Sequence, residues 1–404
     1  MFQKYKRIII DVILNICATA LPLAILQLVI LPLLSRYIED EPYGKMLTII
    51  SILTVVSGSM GNSLNNIRLV KNNNYEESSL KGDFGILVVS EMVIASFVVC
   101  GYTYHYGISF VDIILLFILA AAWTYREYAI VVFRIKLDFV GIVINNLVMI
   151  LGYIVGLLIF LCIGYWEIIY IMGLLFSIVY INKKSEIARE SLNKTVLFKD
   201  TLKDLIILLS ASLLLNLLNY ADRMIIYPMI GGTAVSIYYA STLFGKVISS
   251  AVTPINSVVL SYISKKDTMN RNVMYRLMVS TLLIAIVGYF VCRIVARPAL
   301  SIMYPEWVDR SMEYVPIMTA VAMISMMSSV ITPFTIKFCK MKWQLIINGS
   351  VLIVYLLSAI ILYKYFGLMG FCVGVLASNI VKLVIVSILG IRLSSQEVEK
   401  SERG

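Results

Sequence analysis

Ionisable and amide side chains lie inside long apolar runs of this sequence, and they are the first candidates for chemistry. If such a run crosses a membrane, a charge within it costs free energy unless it is paired, hydrated or turned to a polar interior. A carboxylate there can carry a proton or pair with a cation, Arg and Lys can bind anions, and Asn can bind hydroxyl groups. The candidates are Glu91, Arg126, Asp222, Arg223 and Lys246, with Asn62, Asn216 and Asn219.

The densest polar group falls between positions 204 and 227. Spacings of three and four place its members along one stripe of a helix; they are Ser212, Asn216, Asn219, Tyr220 and Arg223. Asp222 lies beside the stripe. The pattern indicates a hydrated cavity, and the alternative is hydrogen bonding between helices. Lys246, in the next run, either pairs with Asp222 or presents its charge to an anionic ligand.

Two further charges lie at similar depth in consecutive runs, Glu91 and Arg126, so an ion pair between them is expected. The carboxylate would couple transport to protons or ions and the arginine would bind an anion, unless the pair only bridges two helices. Asn62 belongs to a stretch rich in Ser, Gly and Asn. That composition suits close helix packing and also offers ligand contacts.

The composition predicts an all-α polytopic membrane protein. Of the 404 residues, 60% are hydrophobic and 14% charged, and the mean hydropathy is +0.89. A soluble domain carries about 25% charged residues. The net charge of +10 is assigned to cytoplasmic loops and anionic lipid headgroups, because no basic stretch interleaved with aromatic residues supports nucleic-acid binding.

A spanning helix needs roughly 20 apolar residues. Twelve runs meet this requirement, at 8–34, 46–66, 84–104, 109–133, 139–161, 165–181, 204–227, 234–262, 274–296, 312–336, 343–363 and 367–391. If the N-terminus is cytoplasmic, most Lys and Arg residues fall in cytoplasmic segments, as the positive-inside rule requires. Both termini are therefore predicted to be cytoplasmic.

The hydrophilic stretch 182–203 divides the twelve runs equally and is predicted to be a cytoplasmic linker. It separates an N-terminal six-helix lobe, residues 1–181, from a C-terminal six-helix lobe with a short cytoplasmic tail, residues 204–404. Equal, even numbers of spans allow the lobes to be parallel repeats. No GxxxxGK[ST] loop occurs, so energy for transport is expected from an ion gradient, the membrane potential or a partner.

The sequence predicts no catalytic residues, no metal site and no cofactor, and hence no enzyme. The six cysteines are widely spaced within or at the edge of apolar runs, which is neither a disulfide framework nor a zinc pattern. His105 is the single histidine and has no Cys or carboxylate cluster around it. One histidine in a short outer loop cannot build a Ser-His-Asp or Cys-His arrangement.

Several segments resemble motifs of one transporter family. They are Leu34–Tyr37 with Pro42–Lys45, the stretch from Asn219–Arg223 through Gly231-Gly232 to Ile237–Ala240, Phe366–Gly374, and Phe133–Lys136. Their order and spacing resemble the O-antigen and polysaccharide flippases of the multidrug/oligosaccharidyl-lipid/polysaccharide (MOP) exporter superfamily. Pro42, Lys45 and Phe371 depart from the usual pattern, which affects local packing alone.

The resemblance implies two six-helix lobes around a central cavity in the bacterial cytoplasmic (inner) membrane. It implies translocation of undecaprenyl-pyrophosphate-linked oligosaccharide units by alternating access. Arg126, Arg223 and Lys246 would bind the pyrophosphate, Asn62, Asn216 and Asn219 the sugar hydroxyls, and Glu91 or Asp222 a coupling ion. The expected partners are this lipid-linked substrate, membrane lipids, and the polymerase and chain-length regulator of the same pathway, with no nucleic acid.

Two other functions remain open. One is a small-molecule or drug exporter of the same superfamily, which sequence separates poorly from a flippase. The other is a membrane polysaccharide polymerase. A polymerase is disfavoured because such enzymes carry a large outer loop or an acidic catalytic motif, whereas the outer segments here are short.

Overall fold

The structure is a computed structural model that describes residues 21–245, 247, 271–338 and 341–402. All regular secondary structure in these residues is helical, which confirms the predicted all-α class. Contacts divide the chain into two units. Unit 1 contains Pro42–Met229 and the described residues that precede Ser35, and unit 2 contains Ser35–Glu41 and the described residues from Ile230 onward.

Seven α-helices lie in the described residues of unit 1. They are α1 (Leu21–Leu34), α2 (Asp40–Glu77), α3 (Asp83–Tyr104), α4 (Phe110–Ile135), α5 (Phe139–Ile163), α6 (Glu167–Lys184) and α7 (Phe198–Ile230). Local signals set several ends: Ser109 and Asp112 form a capping box at the start of α4, and Gly164, with φ 82°, ends α5 in the left-handed conformation.

Two helices of unit 1 contain a π-helical turn. One turn spans Leu26–Ile30 in α1, and the other spans Thr54–Gly58 in α2. A π turn inserts one residue into the helical repeat and is frequent at functional sites. The turn in α2 comes directly before Ser59, a residue that contacts α7. It therefore changes the direction in which the polar side chains after it point.

Glycines bring α5 and α6 into backbone contact. A Cβ at Gly156 would lie 2.6 Å from the Cα of Ile169, and one at Gly152 would lie 2.5 Å from the carbonyl oxygen of Met172. Small residues permit this close approach, which gives van der Waals packing in place of the hydrophobic effect that lipid does not supply. The two helices are therefore held as a rigid pair.

The predicted linker is packed against unit 1. Arg68 on α2 pairs with Glu190, and its guanidinium lies 5.0 Å above the ring of Phe84. The carboxylate of Asp83, fully buried at the start of α3, accepts hydrogen bonds from the backbone N–H and the hydroxyl of Thr195, at 2.7 and 2.5 Å, and from Tyr75 at 2.8 Å. The segment between α6 and α7 is thus a structured part of unit 1.

Unit 2 contains five helices in the described residues. They are α8 (232–245), α9 (Arg271–Met303), the short α10 (Val308–Met312), α11 (Val315–Phe338) and α12 (Met341–Glu402). Gly367 has non-helical backbone angles, φ 57° and ψ −141°, and divides α12 into two helices. The two helices contact each other, and the Ser358 hydroxyl of the first donates a hydrogen bond to the carbonyl of Gly374 in the second at 3.0 Å.

The segment Ser35–Glu41 is held in unit 2 by its acidic residues. Asp40 accepts from the indole N–H of Trp307 and from Arg310, both at 2.5 Å, and Glu41 accepts from the backbone N–H of Thr233 at 2.8 Å. A Cβ at Gly232 would lie 2.1 Å from the carbonyl oxygen of Glu41, so only glycine fits there.

Eight helices of the described chain are long and apolar enough to cross a membrane. The predicted count of twelve is not confirmed, for identifiable reasons. Helix α6 is not among the eight because its 18 residues include three charged ones, Glu167, Lys183 and Lys184. The two helices of α12 count as one, and the predicted spans 8–34 and 234–262 lie partly outside the described residues. The side of the membrane on which the termini lie stays a prediction.

The predicted division into lobes at 182–203 also stays a prediction. The contact-based units divide the chain after Met229, so α7 is grouped with the helices that precede it. The hydrogen bonds and the ion pair described between α7 and α2 lie within unit 1.

Candidate functional site

A buried polar cluster surrounds Arg126 where α4, α5 and α6 meet. The side chain of Arg126 donates to Asn146 on α5 at 2.7 Å, to Ser177 on α6 at 3.4 Å and to Glu127 at 2.8 Å. Ser177 in turn donates to Asn145 at 3.0 Å. All of these except Glu127 are buried. We call Arg126, Glu127, Asn145, Asn146 and Ser177 the arginine cluster.

The arginine cluster has the chemistry of an anion and sugar site. A guanidinium presents several N–H donors in a planar fork that fits phosphate oxygens, and amides and hydroxyls can both donate and accept. Glu127 balances the charge of Arg126 in an ion pair, and the other two groups that contact the guanidinium, Ser177 and Asn146, are uncharged. The sequence predicted Arg126 but not the partners, although the adjacent asparagines in the apolar run 139–161 are a signal of the same kind.

Glu91 does not take the partner predicted for it. The described ion pair of Arg126 is with Glu127, and Glu91 accepts no hydrogen bond from any residue whose position is described. Its side chain is 5% exposed. The reason is geometric: Arg126 points toward α5 and α6, whereas Glu91 lies on the buried stripe of α3.

A second polar group joins the C-terminal parts of α2 and α4. Asn65 is buried and donates to the backbone carbonyl of Glu127 at 2.8 Å, while Arg134 donates to Asn65 and to Asn66, the latter at 2.9 Å. Asn62, the predicted sugar ligand on α2, is exposed and accepts a long hydrogen bond of 3.4 Å from Asn66. Asn62 is therefore near this group rather than part of the arginine cluster.

Helix α7 lies antiparallel to α2 along a line of polar contacts. Asn216 donates to Ser59 at 2.8 Å and Arg223 donates to Ser51 at 3.3 Å, two helical turns farther along. Arg223 is 4% exposed, although only 11% of the most apolar stretch of α7 is buried. We call these contacts the α7 seam. The predicted polar stripe therefore makes hydrogen bonds between helices, and the two members that make them are Asn216 and Arg223.

The other predicted residues of the stripe take different positions. Asn219 is exposed, and the half-buried Asp222 accepts from the backbone N–H of Arg223 at 2.9 Å. Lys246 lies outside the described residues. The structure therefore brings Asn216 and Arg223 to α2, brings Arg126 to α5 and α6, and leaves Asn62 and Asn219 at exposed positions.

The seam predicts the effect of Arg223→Ala. If the chain is the transporter that the family resemblance implies, its transport rate should fall about tenfold, because a hydrogen bond to a charged group contributes about 1.5–3 kcal/mol. Membrane insertion should stay normal. The measurement is uptake into vesicles, normalised to the amount of folded protein.

Arg276→Ala is the matched control, since Arg276 is exposed on α9. This variant removes the same charge without touching the seam, and its transport should equal that of the wild type. Full activity of Arg223→Ala would remove Arg223 from the candidate site.

Solved structures with the same fold are membrane transporters. The lipid II flippase MurJ, in an inward closed conformation, matches with a TM-score of 0.66 and 14% identity over 98% of this chain and 91% of that chain. A multidrug resistance MATE family transporter of the MOP superfamily, in an inward-facing conformation, matches with a TM-score of 0.58 and 13% identity over 89% and 90%.

The Vibrio cholerae MATE transporter VcmN, in its bent form, matches with a TM-score of 0.55 and 15% identity over 97% of each chain. No protein-family model matches this sequence, and no curated protein matches it. At such identities the similarity establishes the fold alone. The chain therefore has the fold shared by MATE transporters and MurJ, two kinds of protein within the MOP superfamily.

Proposed function

We propose that this protein is a transporter that moves undecaprenyl-pyrophosphate-linked oligosaccharide units across the bacterial cytoplasmic membrane for surface polysaccharide assembly. Its substrate site would open to one side of the membrane and then to the other. A sugar headgroup that carries a pyrophosphate cannot cross hydrocarbon unaided, because its charges and hydroxyls would lose their water without replacement. The protein must therefore offer it both cationic and hydrogen-bonding groups.

The observation that carries the proposal is the arginine cluster. A buried arginine among amides and a hydroxyl offers an anion charge-assisted hydrogen bonds and offers a sugar neutral ones. An intramembrane charge of this kind marks a substrate or ion pathway by default. The match to MurJ over nearly the whole chain supports the same class of cargo, since that protein is titled a lipid II flippase.

The second candidate function is export of small molecules. It is favoured by the matches to MATE transporters, one of them titled a multidrug resistance transporter. The two functions place different demands on the arginine cluster. A lipid-linked pyrophosphate needs Arg126 as an anion ligand, whereas an organic cation would be repelled by it.

The first test is deletion of the gene in its host, followed by analysis of surface polysaccharide and of lipid-linked intermediates. The proposed function expects that no repeat unit reaches the outer acceptor and that pyrophosphate-linked single repeats accumulate inside. A single unpolymerised repeat on the acceptor would instead identify a polymerase.

An unchanged glycan would shift the assignment toward export or toward a second flippase. A drug-accumulation assay on the deletion strain, complemented with the wild type or with Arg126→Ala, distinguishes an exporter from a flippase. If the protein is an exporter, the wild-type gene lowers drug accumulation; if it is a flippase, the gene leaves accumulation unchanged.

A further inference from the structure

The ion pair of the arginine cluster joins two successive residues of α4, Arg126 and Glu127. Successive residues of an α-helix project about 100° apart, so the two side chains must bend toward each other for Nη1 of Arg126 to reach Oε1 of Glu127 at 2.8 Å. The side chain of Arg126 is 10% exposed and that of Glu127 is 28% exposed. Of the groups that contact the guanidinium, Glu127 therefore lies nearest to the edge of the cluster.

The backbone of Glu127 is fixed, whereas its carboxylate is held by one described hydrogen bond. A Cβ at Gly61 on α2 would lie 2.8 Å from the Cβ of Glu127, and Asn65 donates to the carbonyl oxygen of Glu127 at 2.8 Å. The only hydrogen bond that a described residue donates to the carboxylate comes from Arg126. The carboxylate can therefore leave the guanidinium by rotation of the side chain, without movement of the helices.

The other contacts of Arg126 are of a different kind. Ser177 and Asn146 are uncharged and buried, and they hold the guanidinium in one direction between α5 and α6. Each terminal nitrogen of the guanidinium also carries a further N–H group that no described residue accepts. An anion can therefore begin to bind Arg126 before Glu127 has left.

We propose that Glu127 is an exchangeable counterion, which makes the arginine cluster selective for anions that carry more than one negative charge, such as a pyrophosphate. This inference rests on the proposed function, in which Arg126 binds the anion of the substrate. No covalent bond changes. Phosphate oxygens of the ligand replace the carboxylate of Glu127 on the guanidinium, and the carboxylate is hydrated. The exchange reverses when the ligand leaves, so Arg126 always has an anion beside it.

The counterion matters because a bilayer contains many phosphates besides those of the substrate. A phospholipid with one negative charge would exchange one charge for one charge. It gains little against a carboxylate that is tethered beside Arg126 and is always within reach. A pyrophosphate brings more charge and more acceptor oxygens, so it forms more charge-assisted hydrogen bonds with the guanidinium than Glu127 does. Glu127 thus prevents the bulk lipid from occupying Arg126.

The test is a binding measurement on the full chain in lipid nanodiscs, with inorganic pyrophosphate and undecaprenyl pyrophosphate as probes. The nanodiscs contain phosphatidylcholine, either alone or mixed in equal parts with the monoanionic phosphatidylglycerol. In phosphatidylcholine alone, Glu127→Gln should bind both probes about tenfold more tightly than the wild type, because no carboxylate has to be displaced. With phosphatidylglycerol present, the variant should lose most of this affinity, whereas the affinity of the wild type should change little.

Asp309→Asn is the matched control, since it removes a carboxylate from an exposed ion pair with Arg297 in unit 2. It should bind both probes as the wild type does in both lipids. Glu127→Asp keeps the charge but has a shorter side chain, so its affinity in phosphatidylcholine should lie between those of the wild type and Glu127→Gln. Equal affinities of the wild type and Glu127→Gln, or equal inhibition of both by phosphatidylglycerol, would refute the counterion.

The two probes separate this inference from the proposed function. If Glu127→Gln binds inorganic pyrophosphate more tightly but the wild type does not bind undecaprenyl pyrophosphate, the counterion stands and the proposed substrate fails. If the wild type binds undecaprenyl pyrophosphate and the Glu127 variants bind it with the same affinity and selectivity, the counterion fails and the proposed function stands.

Discussion

Replacing Arg126 with alanine should lower transport of a lipid-linked pyrophosphate between about tenfold and a hundredfold. Each hydrogen bond from a guanidinium to a phosphate oxygen contributes about 1.5–3 kcal/mol, and every 1.4 kcal/mol is about tenfold in an equilibrium constant. Arg126→Lys should have an intermediate rate, because an ammonium keeps the charge but loses the planar fork. The measurement is the initial rate in vesicles at equal amounts of folded protein.

A purely structural arginine would give the same first result, because its removal leaves Glu127 without its ion-pair partner. The pair of variants Glu127→Ala and Arg126→Ala/Glu127→Ala separates the two roles. If Arg126 serves only the pair, the double variant should regain the wild-type rate. If Arg126 binds the anion, Glu127→Ala should keep most activity and the double variant should stay low. Recovery in the double variant would contradict the proposed role.

Replacing Asp83 with alanine should release the linker from unit 1. The buried carboxylate accepts three hydrogen bonds; when it is removed, the N–H and the hydroxyl of Thr195 lose their acceptor, whereas the Tyr75 hydroxyl keeps Thr201 as a partner. Each buried donor left unsatisfied costs about 1–3 kcal/mol. We therefore expect trypsin to cleave after the exposed Arg189 and Lys194 at least about tenfold faster, since cleavage follows the population of the open form.

Asp204→Asn is the control for this experiment. It removes a single ion pair with Lys71 in which the carboxylate is half-exposed, and such pairs contribute about 0–1 kcal/mol. Cleavage after Arg276 in unit 2 should not change in either variant, which separates local release from global unfolding. An unchanged rate of linker cleavage in Asp83→Ala would show that the remaining contacts of the linker suffice.

The individual helices and the types of the candidate residues could be predicted because both depend on local composition. Most described residues of the predicted spans lie in helices, since a run of apolar residues in lipid must satisfy its own backbone hydrogen bonds. The spacing of the stripe on α7 likewise placed Asn216 and Arg223 on one face, and both contact α2. These inferences needed only the helical repeat.

The contacts of the linker could not be predicted by the same reasoning. Its Lys, Glu, Ser and Asn residues resemble a solvated connection, but Glu190 and Thr195 are bound by Arg68 and by the buried Asp83. A hydrophilic composition shows that a segment tolerates water. It does not show that the segment lacks charged partners more than a hundred positions away in the sequence.

The amino-acid sequence by itself determined that the chain is helical, rich in apolar spans, and supplied with arginine, carboxylate and amide groups inside those spans. Only the tertiary structure decided the partners. Arg126 could have met Glu91 or Glu127, and the direction of its side chain between α5 and α6 selected Glu127. That choice left Glu91 uncompensated. Side-chain pairing depends on which helical faces meet. Close packing at glycines such as Gly156 determines which faces meet, and these glycines are not themselves charged.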